Sequence, residues 1–218
     1  GLKSVRESSS KKKKYFSNNV GGSKNLLFLM KKYNCFNIVF SSSACVYDEK
    51  NSSPIKEKDK LNPKSNYGRT KLKIEYMLRK FYLEFKNVNV VILRYFNPIG
   101  SHKSGIIFEN PKLAENIIPN IINVINDKKR KFQIYGNDYN TKDGTCVRDY
   151  IHVVDLARSH IYALKTFKKS SFKIINIGTG KGYSVLEIIK AFNNFLKEKI
   201  TFIYSPRRKG DVEMSFSD

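Results

Sequence analysis

Tyr67 and Lys71 stand four positions apart in Ser65-Asn66-Tyr67-Gly68-Arg69-Thr70-Lys71 and open a stretch of apolar periodicity. Residues at i and i+4 of a helix share a face, so a phenol and an ammonium at this spacing can enter one site. A free phenol titrates at about 10 and is a weak base at neutral pH, but a fixed neighbouring cation favours its ionised form. The pair can then take a proton from a hydroxyl and return it. The spacing alone is weak evidence. The chain has 13 tyrosines and 41 lysines and arginines, and a tyrosine packed beside a solvated lysine would read the same way.

The elements around the pair sharpen the reading. Asn37-Ile38-Val39-Phe40 is an apolar strand that runs into Ser41-Ser42-Ser43, and Val90-Val91-Ile92-Leu93 is a second one that runs into Arg94-Tyr95-Phe96-Asn97-Pro98. Ser65 or Asn66 can cap a helix over about 67–85, with Leu72, Tyr76, Met77, Phe81 and Phe85 on its apolar side. An earlier helix is predicted over 13–34, with Val20, Leu26, Leu27, Leu29 and Met30 on one side, weakened by Gly21-Gly22. A polar loop fills 48–66, and an irregular stretch follows Pro98 to about 112. A helix through Ile117, Ile118, Ile121, Ile122 and Ile125 is expected to break near Pro119. Further strands are predicted at 132–135, 150–153, 173–177 and 201–204, and helices at 155–167 and 184–197. Alternating strands and helices imply an α/β fold with a parallel sheet, in which ligands bind beyond the carboxyl ends of strands. Ser43, Tyr95 and Asn97 lie at such ends.

Strand–Ser, then a Y-x-x-x-K helix, then strand–Arg-Tyr-Phe-Asn-Pro resembles the extended short-chain dehydrogenase/reductase superfamily. Ile134-Tyr135-Gly136-Asn137-Asp138-Tyr139, Asp143-Gly144-Thr145-Cys146-Val147-Arg148-Asp149-Tyr150-Ile151-His152-Val153, Asn176-Ile177-Gly178-Thr179-Gly180 and Pro206-Arg207-Arg208-Lys209-Gly210-Asp211 narrow this to a resemblance to the UDP-glucose (UDP-galactose) 4-epimerases. It covers the chain from Gly1 to Asp218. Related dehydratases carry Thr-Asp-Glu where this chain has Ser43-Ala44-Cys45. The family opens with a strand, a Gly-rich turn and a helix, and such a unit does not precede Gly1. On that comparison the chain is expected to be an internal fragment, inactive by itself.

The resemblance implies a partial doubly wound, Rossmann-like parallel sheet with an interleaved smaller substrate domain. Residues 1–98 and 149–180 would belong to the NAD domain, and 99–148 and 181–218 to the UDP-sugar domain, with the chain returning near Asp149. It implies an isomerase of galactose metabolism that epimerises the sugar at C4 through a 4-keto intermediate, with NAD as cofactor and a homodimer built on the first helix and the Tyr67 helix. Tyr67 would be the base. Ser43 would hydrogen-bond the sugar 4-oxygen, although three successive serines leave its register open by one. Lys71 would bind the nicotinamide ribose and lower the Tyr67 pKa. Lys3, Asn18, Ser41 and Tyr95 fall where the family touches NAD. Asn97, Asn116, Tyr135, Arg148, Arg208 and Asp211 fall on the UDP side. Arg148 could instead pair with Asp149 or Asp155. Ser215 maps to the position lining the sugar 2-substituent, where a small residue admits N-acetylated sugars, with Met214 or Phe216 as the alternatives one residue away. Gly178-Thr179-Gly180-Lys181-Gly182 lacks the G-x-G-x-x-G spacing and reads as a tight turn. Rival readings are a UDP-glucuronate epimerase or decarboxylase, or a silent nucleotide-sugar-binding scaffold.

Composition narrows the remainder. With 218 residues and 40% hydrophobic content the chain can bury a core. No apolar run reaches the roughly 18–20 residues of a membrane span. Cys35, Cys45 and Cys146 have neither disulfide nor zinc spacing, which suits a reducing, cytoplasmic compartment. Asn51-Ser52-Ser53 is a formal glycosylation acceptor that carries little weight without a leader. The net charge of +22 is spread along the chain, so it reads as coding bias and not as a nucleic-acid footprint; the dense runs are 11–14 and 128–131. His102, His152 and His160 have no metal spacing and read as structural.

Overall fold

The computed structural model describes residues 1–110, 116–127, 129–208 and 210–218. Lys128 of the second basic run and Lys209 of the 206–211 stretch lie outside them. The chain divides into two compact units. The first comprises Gly1–Asn51, Ile55–Phe96 and Leu156–Ile177, and the second Ser52–Pro54, Asn97–Asp155 and Gly178–Asp218. The elements in chain order are α1 (Val5–Ser10), α2 (Lys12–Tyr15), a π-helical segment (Phe16–Gly21), α3 (Gly22–Lys32), β1 (Asn37–Ser43), a 3-10 turn (Ala44–Val46), α4 (Asn66–Glu84), β2 (Asn89–Tyr95), β3 (Asn97–Ile99), α5 (Ile117–Asn126), β4 (Phe132–Tyr135), β5 (Val147–His152), α6 (Val153–Lys165), β6 (Ser171–Ile177), β7 (Gly182–Ser184), α7 (Val185–Asn193), β8 (Phe202–Ser205) and β9 (Met214–Ser215).

In the first unit β1, β2 and β6 form a parallel sheet in that order, with Ser43 opposite Tyr95 and Tyr95 opposite Ile177. Alternation along β2 sends Val90 and Ile92 toward Met30 of α3 and Ile74, Leu78 and Phe81 of α4. Val91 and Leu93 pack toward Ala163 of α6. Helices therefore cover both faces, which is the expected doubly wound α/β arrangement. Ser65 caps α4, its hydroxyl accepting from the Gly68 N–H at 3.0 Å.

The phase of the helices differs from expectation at particular residues. The π segment inserts an extra residue per turn and advances the face of α3. Val20, Leu27 and Met30 reach the core, whereas Leu26 and Leu29 are 50% and 46% exposed. On α4, Tyr76 also points outward, and Ile74 and Leu78 take the core positions.

In the second unit β5 pairs with β3, β7 and β9, and β4 pairs with β8 in parallel. Ile121 and Val124 of α5, Phe132 and Ile134 of β4, Ile189 of α7 and Ile200 form its core. Pro119 does not break α5. It lies in the first turn, where its missing N–H would have had no intrahelical acceptor. Ser184 and Glu187 form a capping box on α7. The strands β3, β7 and β9 are two or three residues long, too short for periodicity to reveal. The chain rejoins the first unit at Leu156 rather than near Asp149, because residues 147–152 pair within the second unit.

Arg94 heads the fully buried side chains of the described residues, at 1% exposure. Its Nη2 lies 2.7 Å and its Nε 3.1 Å from the two carboxylate oxygens of Glu75. Its Nη1 donates to the Tyr47 hydroxyl and to the Glu57 carbonyl, each at 3.0 Å. Tyr47 donates in turn to Asn176 on β6 at 2.6 Å. Breaking a buried pair strands one charge, so Arg94→Met is expected to destabilise the protein by about 3–5 kcal/mol. Adding Glu75→Gln should recover part of that loss in urea unfolding. A double variant no more stable than Arg94→Met would show that the stranded carboxylate is not the cause.

Candidate active site

The carboxyl ends of β1 and β2 and the first turns of α4 bring Ser41, Ser43, Tyr67, Lys71 and Tyr95 together. Gly68 permits the approach: a Cβ there would stand 2.3 Å from the Cys45 carbonyl oxygen. The first turn of α4 can therefore lie against the 3-10 turn that follows β1. Ser43 begins that turn, its Oγ accepting from the Cys45 N–H at 3.2 Å. The Ser43 hydroxyl also lies close enough to the Tyr67 phenol to favour its ionised form. Lys71 Nζ donates to the Ser41 carbonyl at 2.8 Å and sits 5.6 Å from the centroid of the Tyr67 ring.

The titration of this pair differs from the sequence expectation. Burial pushes the Tyr67 phenol above its ordinary value, the Cys45 sulfur adds to the rise, and the Ser43 bond opposes it. Burial also pulls the Lys71 ammonium below its usual value, against the Glu75 carboxylate. Desolvation thus outweighs the cation that was expected to depress the phenol.

Asn18 lies exposed in the π segment and donates to Asn19 at 2.9 Å. Asn19 is buried and clamps the backbone of Leu2: its Oδ1 accepts from the Leu2 N–H at 2.8 Å and its Nδ2 donates to the Leu2 carbonyl at 3.0 Å. The same Nδ2 reaches Thr70 at 3.3 Å, next to Lys71 in sequence. Lys3 follows the clamped residue and is exposed. Sequence reasoning missed Asn19, Glu75, Arg94 and His160. The His160 ring, read as structural, touches both Ser41 and Tyr95.

In the second unit, Arg148 of β5 stands opposite Ser215 of β9, with its Nη2 4.0 Å from Asp211. Asp149 is not its partner. That carboxylate is fully buried and accepts from the Thr179 N–H and hydroxyl, the Gly180 N–H, and the Ser217 N–H and hydroxyl. The 178–180 turn therefore directs its donors at a carboxylate of its own unit, which supports the tight-turn reading over a phosphate cradle. A Cβ on Gly178 would lie 2.2 Å from Asp149 Oδ2, so only glycine fits. Asn97 donates to the Asp149 carbonyl at 2.9 Å. The Arg208 guanidinium stacks 3.7 Å from the Tyr135 ring centroid. Asn116 begins α5 without a side-chain cap bond, and its amide donates to Glu109 at 2.9 Å. Phe216 packs its ring on Gly182, where a Cβ would meet it at 2.9 Å, and Met214 is 41% exposed. Among the described residues there is no cluster able to hold a metal ion, and no helix is long and apolar enough to cross a membrane.

A family model described as NAD dependent epimerase/dehydratase family matches residues 1–178. The chain is 48% identical along its whole length to UDP-glucose 4-epimerase 2 of Oryza sativa subsp. japonica and spans 54% of that protein. The solved UDP-glucose-4-epimerase of Stenotrophomonas maltophila, with bound NAD and formylated UDP-arabinopyranose, matches at TM-score 0.95 and 41% identity, over 100% of this chain and 66% of that one. The UDP-glucose 4-epimerase of Bifidobacterium longum, in complex with NAD+ and UDP, matches at TM-score 0.93 and 42% identity, over 100% and 66%.

The Ser43 bond gives a prediction independent of any activity. Ser43→Ala removes a hydroxyl that favours the ionised phenol, so the Tyr67 pKa should rise further. It is read as the phenolate absorbance that disappears in Tyr67→Phe, which should move to higher pH. An unmoved titration would detach Ser43 from the phenol.

Proposed function

Because the chain belongs to the NAD dependent epimerase/dehydratase family, we propose that the protein interconverts UDP-glucose and UDP-galactose at the sugar C4, in galactose metabolism. The observation that carries this reading is the Lys71 ammonium 5.6 Å from the Tyr67 ring centroid, held there by the Ser41 carbonyl. Ser43 hydrogen-bonds the sugar 4-oxygen. Tyr67 takes the 4-hydroxyl proton as the 4-keto sugar forms, and returns it after the keto sugar has turned over. NAD, when bound, would supply the acceptor and then the donor of the C4 hydride and so be regenerated in each cycle. Lys3, Asn18, Ser41, Tyr67, Lys71 and Tyr95 fit the dinucleotide. They combine cations, amide and hydroxyl donors and aromatic rings, and Ser41, Tyr67, Lys71 and Tyr95 among them gather at the ends of parallel strands, where such ligands bind.

The second unit supplies the UDP side. Arg148 and Arg208 against the single carboxylate of Asp211 leave excess positive charge for a diphosphate, and the planar arginine fork suits it. Asp211 accepts the ribose hydroxyls, Tyr135 lies by the uracil, and Asn97 and Asn116 add amide contacts. The exposed Leu26, Leu29 and Tyr33 of the α3 end and Tyr76 and Leu83 of α4 support a homodimer through these helices. Three free cysteines accord with a cytoplasmic setting.

In the full-length protein, Tyr67→Phe should keep NAD and UDP but lose about 10²–10⁴-fold in turnover. Lys71→Met should loosen NAD and move the pH optimum up, because the phenolate loses its cation. Turnover of UDP-galactose near the wild-type rate by Tyr67→Phe would sink the assignment.

Ser215 carries the finer reading that UDP-GlcNAc and UDP-GalNAc are also substrates. The Phe216 ring is engaged with Gly182, which supports the small Ser215 as the residue lining the sugar. An acetamido group sweeps more volume than a hydroxyl as the keto sugar turns, and overpacking costs about 1–3 kcal/mol. Ser215→Tyr is expected to abolish conversion of UDP-GalNAc and spare that of UDP-galactose. A wild type that converts only the unsubstituted sugars would remove the gate assignment.

A further inference from the structure

His160 of α6 is bonded on both ring nitrogens. Its Nδ1 lies 2.9 Å from the Leu156 carbonyl, one helical turn back. A carbonyl only accepts, so Nδ1 carries a proton, and in the neutral ring Nε2 is left as an acceptor. Two hydroxyls converge on Nε2. The Tyr95 oxygen is within hydrogen-bond reach of it, and Ser41 Oγ is 3.2 Å away. The two hydroxyls are 2.7 Å from each other, and the Tyr95 and His160 rings meet edge-on with centroids 5.6 Å apart. One imidazole lone pair can take one proton, and a phenol is a stronger donor than an alcohol. A phenol has one proton, and the Tyr95 oxygen is the nearer of the two to Nε2, so that proton goes to His160 in place of Ser41, whose own hydroxyl can then donate to the Tyr95 oxygen. Ser41 is also the residue whose carbonyl holds Lys71.

We propose that His160 is a positioning residue that holds the Tyr95 hydroxyl as an acceptor toward the bound dinucleotide, favouring its oxidised, cationic form over its reduced, neutral one. This rests on the proposed placing of NAD beside Tyr95. The reason for the preference is electrostatic. The oxidised nicotinamide is a cation whose carboxamide and ring hydrogens are electron-poor, and a hydrogen bond from a charged donor is roughly twice as strong as one from a neutral donor.

The test uses full-length protein stripped of dinucleotide and titrated with NAD+ and with NADH by calorimetry. His160→Phe should raise the Kd for NAD+ about 3- to 10-fold more than the Kd for NADH. His160→Gln, which keeps an acceptor oxygen, should restore most of the ratio. If His160→Phe lowers the unfolding midpoint, Tyr95→Phe serves in its place, since it removes the hydroxyl at nearly constant volume. It should produce the same change in ratio, and His160→Leu, which has no acceptor, placed on top of it should add nothing. Equal loss of both affinities, a reversed preference, or additive effects in the double variant would overturn the inference while leaving the proposed function intact. Wild-type protein that binds neither form would overturn both.

Discussion

The buried pair of Glu75 and Arg94 fixes the rotation of the helix on which the site depends. Tyr67, Lys71 and Glu75 are spaced four apart on α4 and so share one face. Each meets a different one of three successive serines on β1: Tyr67 meets the Ser43 hydroxyl, Lys71 the Ser41 carbonyl and Glu75 the Ser42 hydroxyl. Glu75 is the rung that Arg94 holds by both carboxylate oxygens from β2. A helix rotated by one residue would turn through about 100° and lose all three contacts together. Only the outermost two rungs carry groups suited to chemistry. The third supplies the geometry, and its position away from solvent makes it stiff: a charge pair in low dielectric has no water to replace either partner.

Much of this framework was legible because it is periodic. The strand at 89–95 and the helix capped by Ser65 follow from alternation and capping, which are local rules. The rung at Glu75 was not legible, because a glutamate on a helix is ordinarily a solvated residue and its partner lies on another strand. His160 and Asn19 failed for the same reason. Their roles come from the topology that lays α6 and the π segment against the strand ends, and nothing in their neighbours announces it. Leu26 and Leu29 were misassigned for a different cause: the π turn changes the helical phase ahead of them, so a fixed 3.6-residue period drifts off the buried face.

The second unit solves its positioning problem with a buried anion and no cation. Asp149 takes five donors from Thr179, Gly180 and Ser217. These bonds tie β5 to the 178–180 turn and to the residues just after β9. Arg148, the next residue, is thereby set with Ser215 opposite it and Asp211 at ion-pair range. Had Arg148 paired with Asp149, its guanidinium would have been neutralised inside the fold. Because the turn's N–H groups satisfy that carboxylate, the arginine is left to the Asp211 carboxylate and the Val147 and Glu213 carbonyls. The Gly-rich turn thus reads locally like a phosphate cradle while accepting a carboxylate of its own chain. One physical preference, backbone donors for an anion, serves both.

Desolvation leaves the reactive pair in an instructive state. The Tyr67 phenol is raised and the Lys71 ammonium lowered, so burial favours the neutral form of each. With a phenol above its ordinary value, burial keeps Tyr67 protonated at neutral pH even though Ser43 favours ionisation. A base in that condition works when positive charge arrives beside it, because each such charge within about 4–6 Å favours the phenolate. The linkage has a definite sign for stability as well. A phenol whose folded pKa exceeds its unfolded value of 10.0 contributes stability that is intact below pH 10 and lost as the pH climbs toward the folded value. Neutral pH lies well below that window, so the burial that restrains Tyr67 does not weaken the fold where the protein operates. The restraint falls on the ionisation of the phenol alone, which ties that ionisation to any charge that arrives beside it.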